Sequence, residues 1–224
     1  MKIKRTSLNY RESLQFYNFL LPSIGSYLIS GNTLSNNNTL IRLPLAFRVS
    51  SIEGFSSSLQ TANLKPLSVG FILAQAGSAS IGLSINGALT KTKVIKKYMV
   101  RKSQGKAQLS HLKTKGKSRL GSRIRLQQSV KFFEEINEKL TDFKIHQTAD
   151  LILYSCSKTL FPYVFSEPES VIKKHDARLV KVPLDVDEPK LSVLQYINKF
   201  AHKTIIETSN PTIMGFIEKL KPVK

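Results

Sequence analysis

An α/β fold, in which a mixed β-sheet is flanked by helices, is what the 224-residue sequence predicts, with α+β as the neighbouring alternative. Three observations predict it. From residue 91 onward strand-like and helix-like periodicities alternate, the order that builds a sheet covered by helices. Residues 151–156 (LILYSC) form a short, mostly apolar run, as in a buried parallel strand. Leu126, Val130, Phe133, Ile136, Leu140 and Phe143 recur at steps of three and four, the spacing of a helix with one apolar stripe.

The elements follow in chain order. Residues 7–21 place Tyr10, Leu14, Tyr17 and Leu21 at helical spacing, and Pro22 stops the run. A strand is expected to start in residues 25–29. Residues 30–38, rich in Asn, Ser and Gly, read as a polar loop. Residues 39–49 read as extended, with Pro44 marking an edge or a break. The serine-rich stretch 54–66 reads as irregular. Residues 69–75 and 81–85 form a hairpin about Ala76-Gly77-Ser78, and Asn86-Gly87 is a second turn signal. Residues 91–100 alternate, with Val94, Lys96, Tyr98 and Val100 on one face, and lead into a long loop over 102–122. Ser122 is the candidate N-cap of the amphipathic helix that follows. After LILYSC come a short helix over 169–175, a strand over 178–182, and an amphipathic helix over 192–205 through Leu194, Ile197, Ala201 and Ile205. With neither repeat nor linker, one compact body is expected. It comprises an N-terminal extension, residues 1–66, packed on a domain of residues 67–224 that carries the loop.

The charge is unevenly placed. The chain has 34 Lys+Arg against 15 Asp+Glu, a net +19. Residues 54–133 hold fifteen of the basic residues and no acidic one, and thirteen of those cations fall between Lys91 and Arg125. Residues 134–224 hold thirteen of each sign and cancel. An excess of lysine for solubility alone would be spread out. A basic lobe on a neutral body predicts a phosphate-backbone partner, the alternative being a solvated lysine-rich loop.

Other classes are disfavoured. A single cysteine, Cys156, supports neither a disulfide framework nor a multi-thiolate zinc site, and reads as a small core residue. The four histidines lack zinc-hydrolase spacing, so no metal and no cofactor are expected. Asp185, Asp187 and Glu188 are the one tight carboxylate group, and Pro183 and Pro189 beside it suggest a solvated loop. Glu12, Asn9 and Gln15 interrupt any apolar core of a signal peptide. The uncharged stretch 67–89 reads as two strands and not as a membrane helix. A soluble, cytoplasmic monomer is the expectation.

The loop itself opens KKYMVRKSQGKAQLS. It carries two amides, Gln104 and Gln108, among cations. Gly105 is its hinge, free to adopt positive φ or to let a ligand approach the backbone. Ala107 keeps the tip thin. Gln108 donates and accepts hydrogen bonds while staying uncharged. No carboxylate lies in the loop, and its one imidazole is His111. Chemistry here would work by positioning and electrostatics, with base function supplied by RNA or water. From the residues alone, Gln108 reads first as an RNA contact or a solvated side chain, with a positioning amide as the alternative.

The string Lys97-Tyr98-Met99-Val100-Arg101, then Gln104-Gly105-Lys106-Ala107-Gln108, then Leu120-Gly121-Ser122-Arg123-Ile124-Arg125, resembles the loop of the Vms-like release factor family. These are ribosome quality-control proteins related to the central domain of eukaryotic and archaeal class-I release factors. The resemblance covers about residues 67–161, with hairpin, helix and LILYSC strand in the family's order. It implies a release-factor central-domain-like fold. It implies an enzyme-like activity on peptidyl-tRNA stranded on large ribosomal subunits, freeing the nascent chain by hydrolysis at the ester or by cutting the tRNA 3′ end. Gln108 would be the catalytic residue entering the peptidyl-transferase centre. Tyr98, Arg101, Lys102, Gln104, Lys106, Lys113, Lys115, Lys117, Arg119, Arg123 and Arg125 would bind rRNA or tRNA. One departure stands out: Lys106 replaces the second glycine of the family's Q-G-G-S/A-Q tip. A non-catalytic, ribosome-associated rRNA- or tRNA-binding factor is the alternative. The zinc-finger and ankyrin segments of eukaryotic members have no counterpart in these residues, so recruitment is expected to use another surface.

Overall fold

The computed structural model describes residues 3–47, 51–97, 117–166 and 168–220, and for residues 64 and 117–126 the backbone path alone. The described chain divides into two compact units. One takes Met1–Ser68, Ser84–Ala88 and Gln195–Lys224, the other Val69–Leu83 and Leu89–Leu194.

The first unit is an antiparallel sheet covered by helices. Its strands are β1 (Lys4–Leu8), β2 (Leu28–Ser30), β3 (Thr33–Asn36), β4 (Thr39–Arg42) and β10 (Thr204–Thr208), in the order β1-β10-β4-β3-β2. The C-terminal strand β10 lies between two N-terminal ones, with Ile206 opposite Thr6 on one side and Ile41 on the other. Residues 1–66, expected as an extension, thus complete their sheet with a strand from the far end of the chain. The helix α1 (Tyr10–Leu20) starts where the sequence places it, because Asn9 and Glu12 form a capping box. A 3-10 turn, Leu21–Ser26, follows, and the strand expected to start in residues 25–29 opens at Leu28 as β2.

Two expectations for this unit are overturned. The loop read over 30–38 is a pair of hairpins, made possible by Gly31 at φ 54° between β2 and β3. The stretch read as irregular is helix α2 (Ile52–Leu64), capped by Ser51, whose Oγ accepts from Gly54 N at 2.9 Å. Its serines are poor helix formers. Burying Phe55 and Leu59, four residues apart, in one core with Phe16, Tyr17, Ile206 and Ile213 outweighs that propensity.

The second unit holds the mixed sheet, of order β7-β6-β5-β8-β9. Strands β5 (Ser68–Gln75) and β6 (Ser78–Ile85) flank a turn with Gly77 at φ 81°, and β7 (Ala88–Lys96) follows the Asn86-Gly87 turn, both residues at positive φ as that sequence predicts. The LILYSC run is β8 (Leu151–Cys156). It pairs parallel to β5, Val69 opposite Leu151 through Ala74 opposite Cys156, and parallel to β9 (Leu179–Lys181). Helices α3 (Lys117–Asp142), α4 (Ile145–Thr148) and α5 (Phe161–Phe165) contribute to its core. Gly70 lies where α4 approaches the sheet, since a Cβ there would come within 2.5 Å of Ile145 Cγ2.

Further corrections concern periodicity. Residues 117–122, read as loop, are helical, so α3 begins before Ser122. The buried stripe of α3 is Phe132, Ile136 and Leu140; Phe133 is only partly buried and stacks on Tyr163 at 5.3 Å, while Val130 is 51% exposed. On β7 the core residue is Ile95, not the Val94–Lys96 face. No helix forms over 169–175, where Ile172 anchors a series of turns. The last amphipathic run ends early: α6 (Leu191–Ala201) stops before Thr204 enters β10, and α7 (Pro211–Leu220) follows.

Candidate nucleic-acid interface

Residues 98–116 connect the end of β7 to the start of α3. Tyr98, Arg101, Lys102, Gln104, Gly105, Lys106, Gln108, Lys113 and Lys115 lie outside the described residues, as does His111. Lys117, Arg119, Arg123 and Arg125 fall in the first turns of α3.

The end of β7 is fastened both to its own sheet and to α3. Lys97 N donates to Gly77 O at 2.8 Å, which sets the end of β7 against the β5–β6 turn. Glu135, on α3, then takes two strand lysines on one carboxylate. Lys97 Nζ lies 2.7 Å from Oε2 and Lys93 Nζ 3.9 Å from Oε1. Lys91 Nζ sits 5.9 Å from the centre of the Phe143 ring. Positions 91, 93, 95 and 97 share one side of β7 by strand alternation. Two lysines there meet α3, Lys91 meets Phe143 just past its end, and Ile95 between them enters the core. Sequence reading missed Glu135 as a clamp; the alternation of 91, 93 and 97 was the available signal, but its partner lies about forty residues on.

The opening of α3 runs against helix electrostatics. A helix N-terminus carries a partial positive charge, which favours acids and anions. Here the first turn holds no acidic residue, and four cations occur between residues 117 and 125. The first carboxylate in α3 is Glu134. A bound phosphate would relieve this arrangement, because backbone N–H groups and cations both favour it. The helix spans about 39 Å at 1.5 Å per residue, and among its residues with described side chains Phe132 is the first in the core.

The other candidate chemistry does not assemble. Glu188 is held by Lys190 at 2.7 Å and Lys96 at 3.1 Å, which keep its carboxyl below the usual range. Among the described residues no three His, Cys, Asp or Glu side chains converge on a metal-sized site. Burial pushes the Cys156 thiol up to about 11, and Lys181 only partly offsets it, so at neutral pH it is not a thiolate nucleophile. Among the described residues no helix is long and apolar enough to cross a membrane.

Fold and site together define an α/β protein whose mixed sheet feeds a strongly basic strand-to-helix connection. The chain belongs to the Bacteroidetes VLRF1 release factor family, whose model matches residues 69–209, a stretch that contains the basic connection entire. Its kinship with Vms-like release factors, expected from the loop residues, is thereby established. Among solved structures the protein is similar to one described as "Vms1 mitochondrial localization core", with a TM-score of 0.52 and 11% identity, covering 86% of this chain and 81% of that one. At that identity the likeness is one of fold. No curated protein matches the chain.

Proposed function

We propose that this release-factor-family protein frees nascent chains from peptidyl-tRNA on stalled large ribosomal subunits. In this reading Gln108 enters the peptidyl-transferase centre and orients the attacking hydroxyl, of water or of the tRNA 2′-OH. Tyr98 and Arg101 brace the loop base, Gly105 gives the tip its hinge, and Gln104 and the cations from Lys102 to Arg125 hold rRNA or tRNA. The protein works as a cytoplasmic monomer on the subunit. The observation that carries the reading is the acid-free opening of α3 directly after the Gln-tipped segment, in a chain whose family is one of release factors. Cations stacked at the wrong end of a helix lower its intrinsic stability, and anionic RNA is the partner that reverses the sign.

A release assay on large subunits carrying labelled peptidyl-tRNA tests it. Gln108→Ala should lower release at least a hundredfold while subunit binding stays within twofold. Following the tRNA 3′ end in the same assay separates ester hydrolysis from strand scission. Full release by Gln108→Ala would remove the catalytic role. Lys106, where the family has glycine, favours one second reading, a non-catalytic RNA anchor. That reading expects no cleavage from the wild-type protein, and loss of binding on charge reversal at Lys113, Lys115 and Lys117.

A further inference from the structure

Within the second unit, a cleft of about 640 Å³ opens at the carboxyl ends of β5, β8 and β9. Crevices at this edge of parallel strands are where α/β sheets usually take ligands, because loops leaving adjacent strands frame them. Gln75 ends β5 at its base. Ser157 and Lys158 follow β8 on one side, and Lys181, Asp185 and Asp187 run from the end of β9 on the other.

The frame is held by bonds that leave the charged groups out. Gln75 Nε2 donates to Val186 O at 2.8 Å, and Ser78 Oγ to Pro189 O at 3.2 Å. Val182 N donates to Tyr154 O at 2.8 Å. Ser157 Oγ accepts from Leu160 N and shares a 2.9 Å hydrogen bond with Thr159 Oγ1. Nearby Lys96 and Lys190 are both engaged by Glu188. By contrast, among the described residues Lys158, Lys181, Asp185 and Asp187 form no ion pair and no side-chain hydrogen bond, although all four line one cleft.

Two free ammonium groups and two free carboxylates narrow the ligand. Inorganic phosphate satisfies the lysines and is repelled by the aspartates. A divalent cation meets the reverse problem, and a neutral sugar leaves the lysines unserved. A ribonucleotide offers both halves: phosphate oxygens for the ammonium donors, and ribose hydroxyls that donate to carboxylates. The volume falls in the range of small-ligand sites, about 300–1,000 Å³. We infer that this cleft binds one ribonucleotide unit, its phosphate on Lys158 and Lys181 and its ribose hydroxyls on Asp185 and Asp187. The unit is either a nucleotide of a bound RNA strand or a free nucleotide. The first source rests on the RNA-binding function proposed above; the cleft chemistry does not.

Calorimetric titration of the full chain tests this, with amide NMR shifts of residues 156–158 and 181–187 locating the site. The probes are AMP, deoxy-AMP, inorganic phosphate and a six-nucleotide RNA. AMP should bind, deoxy-AMP at least fivefold more weakly, and phosphate not measurably at the same concentrations. Lys181→Gln and Asp185→Asn should each weaken AMP about tenfold with unchanged melting temperature. The RNA displacing AMP, with both variants losing RNA affinity, identifies a strand nucleotide; AMP binding untouched by RNA identifies a free one. Phosphate binding as tightly as AMP, variants that bind like wild type, or no AMP or RNA binding at millimolar concentration would overturn the inference. Gln108→Ala should leave the titration unchanged, so failure of the release assay and failure of the cleft are separately visible.

Discussion

In its last turns α3 buries Phe132, Ile136 and Leu140 in the core of the second unit and gives Glu135 to two lysines of β7, whereas its first turns hold Lys117, Arg119, Arg123 and Arg125 with no acid among them. One continuous helix therefore divides its duties by position. The distal half supplies burial and an ion-pair clamp, which stabilise the fold with or without a partner. The proximal half concentrates like charge where the helix dipole is already positive, which the RNA partner proposed above would offset. Mutations in the two halves should therefore separate stability from binding.

The largest stability effect is expected from Ile136→Ala, which removes a fully buried side chain and leaves a cavity. It should cost about 2–5 kcal/mol, read by denaturant melts, with affinity of the remaining folded protein for ribosomal subunits unchanged. The reverse pattern is expected for the fourfold change of Lys117, Arg119, Arg123 and Arg125 to Gln. Its melting temperature should hold or rise, while the slope of log affinity against log salt flattens by roughly 3, about 0.7–0.9 per lost phosphate contact. A lower melting temperature with an unchanged salt slope would erase the contrast between the two halves.

Smaller effects sharpen the stability side. Gly70→Ala drives a methyl into Ile145 Cγ2 and should cost about 1–3 kcal/mol, partly recovered in the Gly70→Ala/Ile145→Ala pair. Smallest is Asp176→Asn. Arg178 donates to both Asp176 oxygens, at 2.9 and 2.7 Å, and also to Ala149 O and His146 O, tying β9 to the α4–β8 turn. That hydrogen bonding holds the Asp176 carboxyl below its usual range. A depressed carboxyl contributes stability that is complete above its unfolded value, about 3.9, and is lost as pH falls through the folded one. The melting-temperature gap between wild type and Asp176→Asn should be present at pH 7 and close below about pH 4.

Much of the second unit was legible because its signals are local. LILYSC, the Asn86-Gly87 turn and the apolar steps around Ile136 each state their element within a few residues. Boundaries were less so. Val130 and Phe132 are one turn-fraction apart, and only the sheet beneath decides which is buried. Serine at 56, 57 and 58 says loop by propensity, and Phe55 and Leu59 say helix only once there is a core to enter. Glu135 could not be paired with Lys93 and Lys97 from spacing, nor Lys158 placed in one cleft with Asp185 and Asp187, since helix-on-sheet packing and strand order bring those neighbours together.

The sequence by itself determined the segregation of charge, the acid-free run into α3, and the glutamine-tipped loop by which the family can be recognised, because composition and short spacing survive without a fold. Only the tertiary structure decided that β10 inserts between β1 and β4, that Gly70 must make room for Ile145, and that residues 75, 158, 181 and 185 share one cleft. Those facts depend on contacts between segments as much as two hundred residues apart, and no local pattern encodes which distant strand will pair with which.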